Sequence, residues 1–264
     1  MKHVVGSHDI LFITLDTLRY DAAVSELKNG RLPVLEKAMK GIGWEKRHTP
    51  GSFTFSAHAA FFAGFLPTPA RPGKHPRLFA VSFPESESIS EGTFVFDTPD
   101  IVTGLAKEGY YTVCIGGVGF FNKQSPLGSV LPSYFQQSYW SPEMGITSPD
   151  STRVQIACAL DVLRSLDRKQ KLFLFLNISA LHQPNFFYLD KSGKDSLESH
   201  KAALRYVDSQ LNDLFQAMQM RNPTFCIVCS DHGTAFGDHG YDGHRIGLDV
   251  VWTVPYADFF LPFL

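Results

Sequence analysis

No excess of either charge sign marks this chain: 24 Lys and Arg stand against 26 Asp and Glu, a formal net charge of −2. A broad basic surface for nucleic acid is therefore not expected. Disorder is excluded as well, since 44% hydrophobic against 19% charged residues is ample for a core. Cysteine is scarce, with four residues at 114, 158, 226 and 229, all inside expected strands or helices. Buried free thiols suit a reducing compartment better than a disulfide framework. Cys226 and Cys229 have a dithiol spacing, but residues three apart in a strand face opposite ways, so neither a zinc knuckle nor a redox pair is expected. No apolar run has the length of a membrane span: the first ends at Asp16, and the N-terminus, with Lys2 as its basic residue, lacks a signal-cleavage pattern. A cytoplasmic protein is expected. Internal repeats and low-complexity tracts are also missing.

What is present is an alternation of short apolar runs with amphipathic ones. Strands are expected at 9–15, 110–116, 171–178 and 224–229, with weaker ones near 45–49, 77–83 and 250–258. Helical signals run over 32–39, from an Asp97-Thr98-Pro99 cap toward Lys107, from Pro149-Asp150 toward Leu166, and over 196–220. This predicts an α/β fold of three layers, a mainly parallel central sheet with helices on both faces. At 264 residues the chain fits one domain, 1–264. Segments 66–97 and 118–149, rich in Pro, Gly and Ser, read as loop insertions able to roof a site. Phenylalanine is abundant and recurs in pairs, at 61–62, 120–121, 186–187 and 259–260, for core packing or for an apolar wall beside the site.

Chemistry concentrates at three strand ends. Thr224–Cys229 reads as a buried strand and runs directly into Ser230-Asp231-His232-Gly233. The strand 9–15 ends at Asp16, with Arg19 and Asp21 following. Carboxylate oxygens with an imidazole serve a divalent ion, so Asp16, Asp231 and His232 form a candidate ligand set with open positions. Thr54 sits where a Gly51-Ser52 turn feeds an alanine-rich helix. A hydroxyl there can be ionised by a bound metal, while the free backbone N–H groups of the helix start favour a phosphate.

In these motifs the chain resembles the alkaline-phosphatase-like superfamily, in its sulfatase-like and phosphoethanolamine-transferase-like branches. The first-strand pattern falls on Asp16, Arg19 and Asp21. The nucleophile pattern falls on Thr54, Ser56 and His58, with Gly64 and Pro67 closing it, and Ser-Asp-His-Gly is intact at 230–233. Residues 104–116 resemble the family's helix, Gly-Tyr turn and next strand. Departures matter too. Related sulfatases carry a formylglycine precursor Cys where Thr54 stands, and a Lys and a His where this chain has Gly117-Val118-Gly119. A sulfate ester is therefore the less favoured substrate. Ala57 and Ala63 replace the usual Ser and Thr.

The resemblance implies a metal-dependent hydrolase of phosphate mono- or diesters working through a phospho-threonine. Zn²⁺ or Mn²⁺ is the expected ion, with Ca²⁺ ranked below, held by Asp16, Thr54, Asp231 and His232 in one tight site. His182, in a loop resembling the family's His-x-Pro, and His244 would assist catalysis or hold a second ion, and Arg245 could bind phosphate or pair with Asp242 or Asp249. The Asp-x-x-x-His of two-zinc relatives is missing. Alternatives stay open: a phosphotransferase or phosphomutase, or a non-catalytic metal-binding scaffold in a maturation complex. Taken singly, each motif also has a plain structural reading. Asp231-His232 could be an Asx turn, Asp16 to Asp21 a cap with a solvated ion pair, Thr54 a helix cap and His58 a satisfied buried histidine, with His239 a turn residue. The expected partner is a small phosphoester, with no nucleic acid and no membrane span; a protein partner is left unknown.

Overall fold

The structure is a computed structural model that describes residues 3–64, 79–81, 94–96, 100–190 and 193–264. In chain order the elements are β1 (Asp9–Leu15), α1 (Tyr20–Lys28), α2 (Pro33–Met39), β2 (Glu45–His48), α3 (Thr54–Ala63), β3 (Phe79–Val81), β4 (Phe94–Phe96), α4 (Ile101–Lys107) and β5 (Tyr111–Ile115). Then follow α5 (Pro126–Val130), β6 (Gln137–Tyr139), α6 (Ser151–Ser165), β7 (Leu172–Ile178), α7 (Leu197–Arg221), β8 (Thr224–Cys229), β9 (Ala235–Asp238), β10 (Tyr241–Gly243), α8 (Asp249–Trp252) and β11 (Thr253–Leu261).

Seven strands form the central sheet in the order β2-β11-β8-β1-β7-β5-β6. The five from β8 to β6 are parallel, and β11 runs antiparallel to both β8 and β2. The mainly parallel sheet read from the sequence is therefore present, with helices around it.

Alternation along the central strands sorts residue types by face. In β7, Leu172, Leu174, Leu176 and Ile178 join a core cluster with residues of α1, α2, α6 and α7. Phe173 and Phe175 turn to the other face, against Phe62 of α3, Val102 and Leu105 of α4, and Phe121. β1 and β8 follow the same rule: Leu11, Ile13, Cys226 and Val228 face the first cluster, Ile10 and Phe225 the second. A strand buried on both faces is apolar over most of its length, which is why these runs look nearly continuous in sequence. Of the phenylalanine pairs, Phe62, Phe121 and Phe259 are core, while Phe61, Phe120, Phe186 and Phe187 are only half-buried and Phe260 is exposed.

Several boundaries differ from the sequence reading. The turn from Asp16 continues into a helix, α1, that was not expected. Its apolar content is slight, and it is held by packing on α7 rather than by a strong periodic signal. Segment 118–149 is more than loop: it holds α5, three 3₁₀ turns and the edge strand β6, paired parallel with β5. Three residues of strand were too few to register as a pattern. Apart from the backbones of β3 and β4, segment 66–97 lies outside the described residues, as does the Asp97-Thr98-Pro99 cap; Asp100 caps α4 instead, its Oδ1 accepting Thr103 N–H at 2.7 Å. The last strand begins at Thr253, after the helical turn of α8. His239 does occupy the β9–β10 turn, at φ 52°. Among the described residues, no helix is long and apolar enough to cross a membrane.

At the N-terminal edge of the sheet, Arg221 is buried and donates from Nε to Asp9 Oδ2 at 2.9 Å. It also donates to the carbonyls of Leu166, Asp167 and Gln170. Asp9 Oδ1 accepts Leu172 N–H at 3.0 Å, so this cluster ties β1, β7 and α7 at one end and leaves the opposite edge free for chemistry.

Candidate active site

The carboxyl ends of β1, β7 and β8 and the start of α3 meet at one point. In open parallel sheets this is the edge where diverging loops leave room for a ligand. Asp16 follows β1 directly and Asp231-His232 follows β8. All three are fully buried, and a ligand atom of each lies within 4.8 Å of the others. Thr54, first residue of α3, sends Oγ1 to 3.3 Å from Asp16 Oδ2 and 3.4 Å from His232 Nε2. The structure thus brings together all four residues read from the sequence as a metal-and-nucleophile set.

Local backbone chemistry holds them there. Asp231 Oδ1 accepts from Thr17 N–H at 3.2 Å and His232 N–H at 3.0 Å, and Thr17 reaches it from a left-handed φ of 64°. Thr49 Oγ1 donates to the Asp231 carbonyl. Gly233 is required by space: a Cβ there would lie 1.8 Å from the Val250 carbonyl oxygen. Gly51 is equally constrained, since its Cβ would meet Ser56 Oγ at 2.2 Å in the turn that feeds Thr54.

The donor set suits a divalent cation. Asp16 Oδ1 and Asp231 Oδ2 are buried without any hydrogen-bond partner, an arrangement that costs stability unless a cation meets them. Burial, and then the neighbouring Asp231, pushes the Asp16 carboxyl up to about 6; burial pushes Asp231 up to about 7. His232 donates from Nδ1 to the Gly233 carbonyl at 2.9 Å, because that oxygen can only accept, so Nε2 is a bare lone pair aimed at the carboxylates. Two carboxylates, one imidazole nitrogen and one hydroxyl form a mixed hard and borderline set that could hold a divalent ion.

His182 and His244 stand at the same mouth. Their ring centroids are 5.4 Å apart, and His244 lies 4.7 Å from His232. His182 donates from Nδ1 to the Gln183 carbonyl at 2.6 Å, just before the cis Gln183–Pro184 bond. Burial, with His232, His182 and Arg245 nearby, pulls His244 down to about 3. Arg245 has an exposed side chain, but its backbone, at φ 67°, donates to the Ser52 carbonyl at 2.9 Å and so ties the His244 loop to the turn that precedes Thr54. Phe53 and Phe55, on either side of Thr54, lean on Phe120 with centroids 6.3 and 5.7 Å away.

Arg19 is not at the site's disposal. It is buried and gripped by both oxygens of Asp21, at 2.9 and 2.7 Å, and by Asp238 Oδ2 at 2.7 Å, pinning the β1 loop to the β9–β10 hairpin. Several contributors escaped the sequence reading: Thr14, Thr17, Asn177 and His200. Thr14 and Asn177 had a signal available, for each is a polar residue inside an otherwise apolar strand, and they are register partners across β1 and β7. His200, fully buried, accepts Arg19 N–H on Nε2 at 3.3 Å and donates from Nδ1 to the Leu181 carbonyl at 3.2 Å.

A mainly parallel sheet with this donor cluster at its carboxyl edge agrees with the alkaline-phosphatase-like fold that the sequence resemblance implies. The chain belongs to the sulfatase family, whose model matches residues 8–254. Similar solved structures include the periplasmic domain of phosphoethanolamine transferase EptC from Campylobacter jejuni, 14% identical, TM-score 0.60, covering 96% of this chain and 80% of that one. The periplasmic domain of EptC from Escherichia coli, in a complex with Zn, is 13% identical with a TM-score of 0.62, covering 96% and 73%. Lipoteichoic acid synthase LtaP from Listeria monocytogenes is 15% identical with a TM-score of 0.61, covering 95% of this chain and 65% of that one. Identities this low carry the fold alone. Among curated proteins, none matches the sequence.

Proposed function

We propose that the protein is a metal-dependent phosphoester hydrolase with Thr54 as nucleophile. The observation that carries this reading is Thr54 Oγ1 at 3.3 Å from Asp16 Oδ2 and 3.4 Å from His232 Nε2, inside the one buried cluster suited to a cation among the described residues. Asp16, Asp231, His232 and Thr54 would hold the ion. When bound, a divalent ion supplies charge neutralisation and lowers the proton affinity of the oxygens it touches.

The chain's own residues then have distinct tasks. Thr54 Oγ1, held 3.3 Å from Asp16 Oδ2, gives up its proton to solvent water as it attacks. The oxygen forms a bond to phosphorus as the bond from phosphorus to the organic oxygen breaks. His182, its ring oriented by the Nδ1–H bond to the Gln183 carbonyl, acts as leaving-group acid, giving a proton from Nε2 to the departing alkoxide and recovering one from the attacking water in the second step. His244, held neutral by its surroundings, offers a single N–H to a phosphoryl oxygen. Water then attacks the phospho-threonine, returning the Thr54 hydroxyl and inorganic phosphate, or a monoester where the substrate is a diester.

A phosphotransferase is the second reading, favoured by the similarity to phosphoethanolamine transferases; there an alcohol replaces the water. Four unpaired cysteines support a reducing compartment and hence the cytoplasm. The test is hydrolysis of 4-nitrophenyl phosphate and bis(4-nitrophenyl) phosphate by the Mn²⁺- or Zn²⁺-loaded protein, wild type against Thr54→Ala, with metal content measured on both. Incorporation of labelled oxygen from water separates hydrolase from transferase. Equal turnover in Thr54→Ala rules out the assigned nucleophile, and a protein that binds metal but acts on neither ester favours a scaffold.

A further inference from the structure

His58 has its ring tied on both sides. Nδ1 lies 2.8 Å from the Thr54 carbonyl oxygen, which can only accept, so Nδ1 carries a proton. In a neutral ring Nε2 is then an acceptor, and Thr14 Oγ1 at 3.0 Å donates to it. The Leu176 carbonyl, at 3.4 Å, is the weaker acceptor for that hydroxyl, and using it would leave a buried Nε2 without a donor.

From Thr14 the hydrogen bonds continue. Thr14 Oγ1 accepts from Asn177 Nδ2 at 3.3 Å, and the other hydrogen of that nitrogen goes to Asp16 Oδ2 at 3.0 Å. The Asn177 amide cannot flip without loss, because its Oδ1 accepts Val118 N–H at 3.0 Å. Thr54 Oγ1 donates to the same Asp16 Oδ2 and so closes a ring through Thr54, His58, Thr14, Asn177 and Asp16, all buried. Phe61, Phe121 and Phe175 meet the His58 ring edge-on, with centroids 5.5, 5.2 and 5.6 Å away, an apolar cage that disfavours a charged imidazole. Asp231 Oδ2, 3.7 Å from Nδ1, is too distant to compete for its proton.

We propose that His58 is a positioning residue for the nucleophile: as a neutral ring protonated on Nδ1, it locks the first turn of α3 to β1 through Thr14, and Asn177 holds the Asp16 carboxylate in the same frame. The role rests on Thr54 being the nucleophile. The donor to the Thr54 carbonyl sets where Oγ1 sits, and a displacement of about 1 Å can cost on the order of 100-fold in rate.

Three variants separate positioning from packing. His58→Phe keeps the aromatic contacts and loses both hydrogen bonds. His58→Asn places an amide N–H near Nδ1, and His58→Gln places its amide near Nε2. With the Mn²⁺-loaded protein and the two nitrophenyl esters named above, His58→Phe is expected to lower kcat by about 10–100-fold while KM and Mn²⁺ affinity stay within about 3-fold. His58→Asn should recover at least half of that loss on a logarithmic scale, and His58→Gln should not. Unchanged kcat in His58→Phe overturns the proposal; so does an equal loss in Phe and Asn variants that also melt earlier, which marks a purely structural side chain.

A second readout needs no turnover. ¹⁵N spectra of the His58 ring, in metal-free and Zn²⁺-loaded protein, should show one tautomer with the proton on Nδ1, and a proton on Nε2 breaks the ring of bonds. If the wild type acts on neither ester, the phosphoester reading falls and the positioning role falls with it, while the spectra still decide the hydrogen-bond ring.

Discussion

Asp16 and Asp231 face each other as two buried carboxylates, each keeping one oxygen, Asp16 Oδ1 and Asp231 Oδ2, without a hydrogen-bond donor. Each favours its protonated form, Asp16 partly because Asp231 is so near. In the metal-free protein this pair opposes folding, and a cation between them reverses that sign.

Replacing one charge makes the reversal measurable. In Asp231→Asn, Oδ1 can still accept from Thr17 and His232, and an amide stands where the unpaired oxygen was. The metal-free variant should be more stable than metal-free wild type at pH 8, by roughly 2–4 kcal/mol, since the carboxylate it removes is held well above its ordinary value. Stabilisation by added Zn²⁺ should vanish in the same variant. Denaturant melts with and without metal check both.

Metal binding should release protons, and the sign with pH follows from the same two groups. Their folded values, about 6 and about 7, lie above the ordinary carboxylate range, so the metal-free native state binds more protons than the unfolded chain between about pH 4 and 7. Their contribution to metal-free stability is therefore lost as pH rises through that window. An entering ion must displace those protons. Affinity should climb as pH goes from 5.5 to 7.5 and then level off. Calorimetry at pH 6 in buffers of different ionisation enthalpy should show proton release that is nearly gone at pH 8.

Stability on the acid side should depend on His200, which lies away from the ligand set. Burial pulls its value down to about 4, against about 6.5 in an unfolded chain. The stability it contributes is complete above 6.5 and is lost as pH falls toward 4, at about 1.4 kcal/mol per pH unit. In His200→Gln the slope of unfolding free energy over that range should drop by about that amount relative to wild type. An unchanged slope would mean that the ring is charged in the fold.

The far edge of the sheet should fail independently of the site. Arg221→Met leaves Asp9 buried with its cation gone, at a cost of about 3–5 kcal/mol. Zn²⁺ affinity of the folded fraction should match wild type, because the cluster lies at the opposite ends of β1 and β8. Titration at low temperature, together with urea melts, separates the two effects.

The main strands, the helices after 196 and before 166, and the four-residue set around Thr54 were legible in the sequence because each rests on a local signal. Apolar runs ending in Asp16 and Asp231 announce both a strand and what its tip carries. The helix α1 was not legible, since its hold on α7 is a contact between distant segments. Asn177 and His200 were hidden for the same reason: an amide in a buried strand and a histidine midway along a helix acquire meaning only when β1 and the loop after β7 arrive beside them. Arg19 read as an ion pair with Asp21, and it is one, but the third partner, Asp238, comes from a hairpin that the sequence did not suggest.

The leucine and phenylalanine alternation of β7 makes the frame of the protein intolerant of slippage. Inserting one residue upstream of Leu172 would rotate every side chain of the strand to the other side, driving rings into the layer occupied by α6 and α7. The same half-turn would swing the Asn177 amide off Asp16, so a single extra codon would unseat the packing and dismantle the candidate site together.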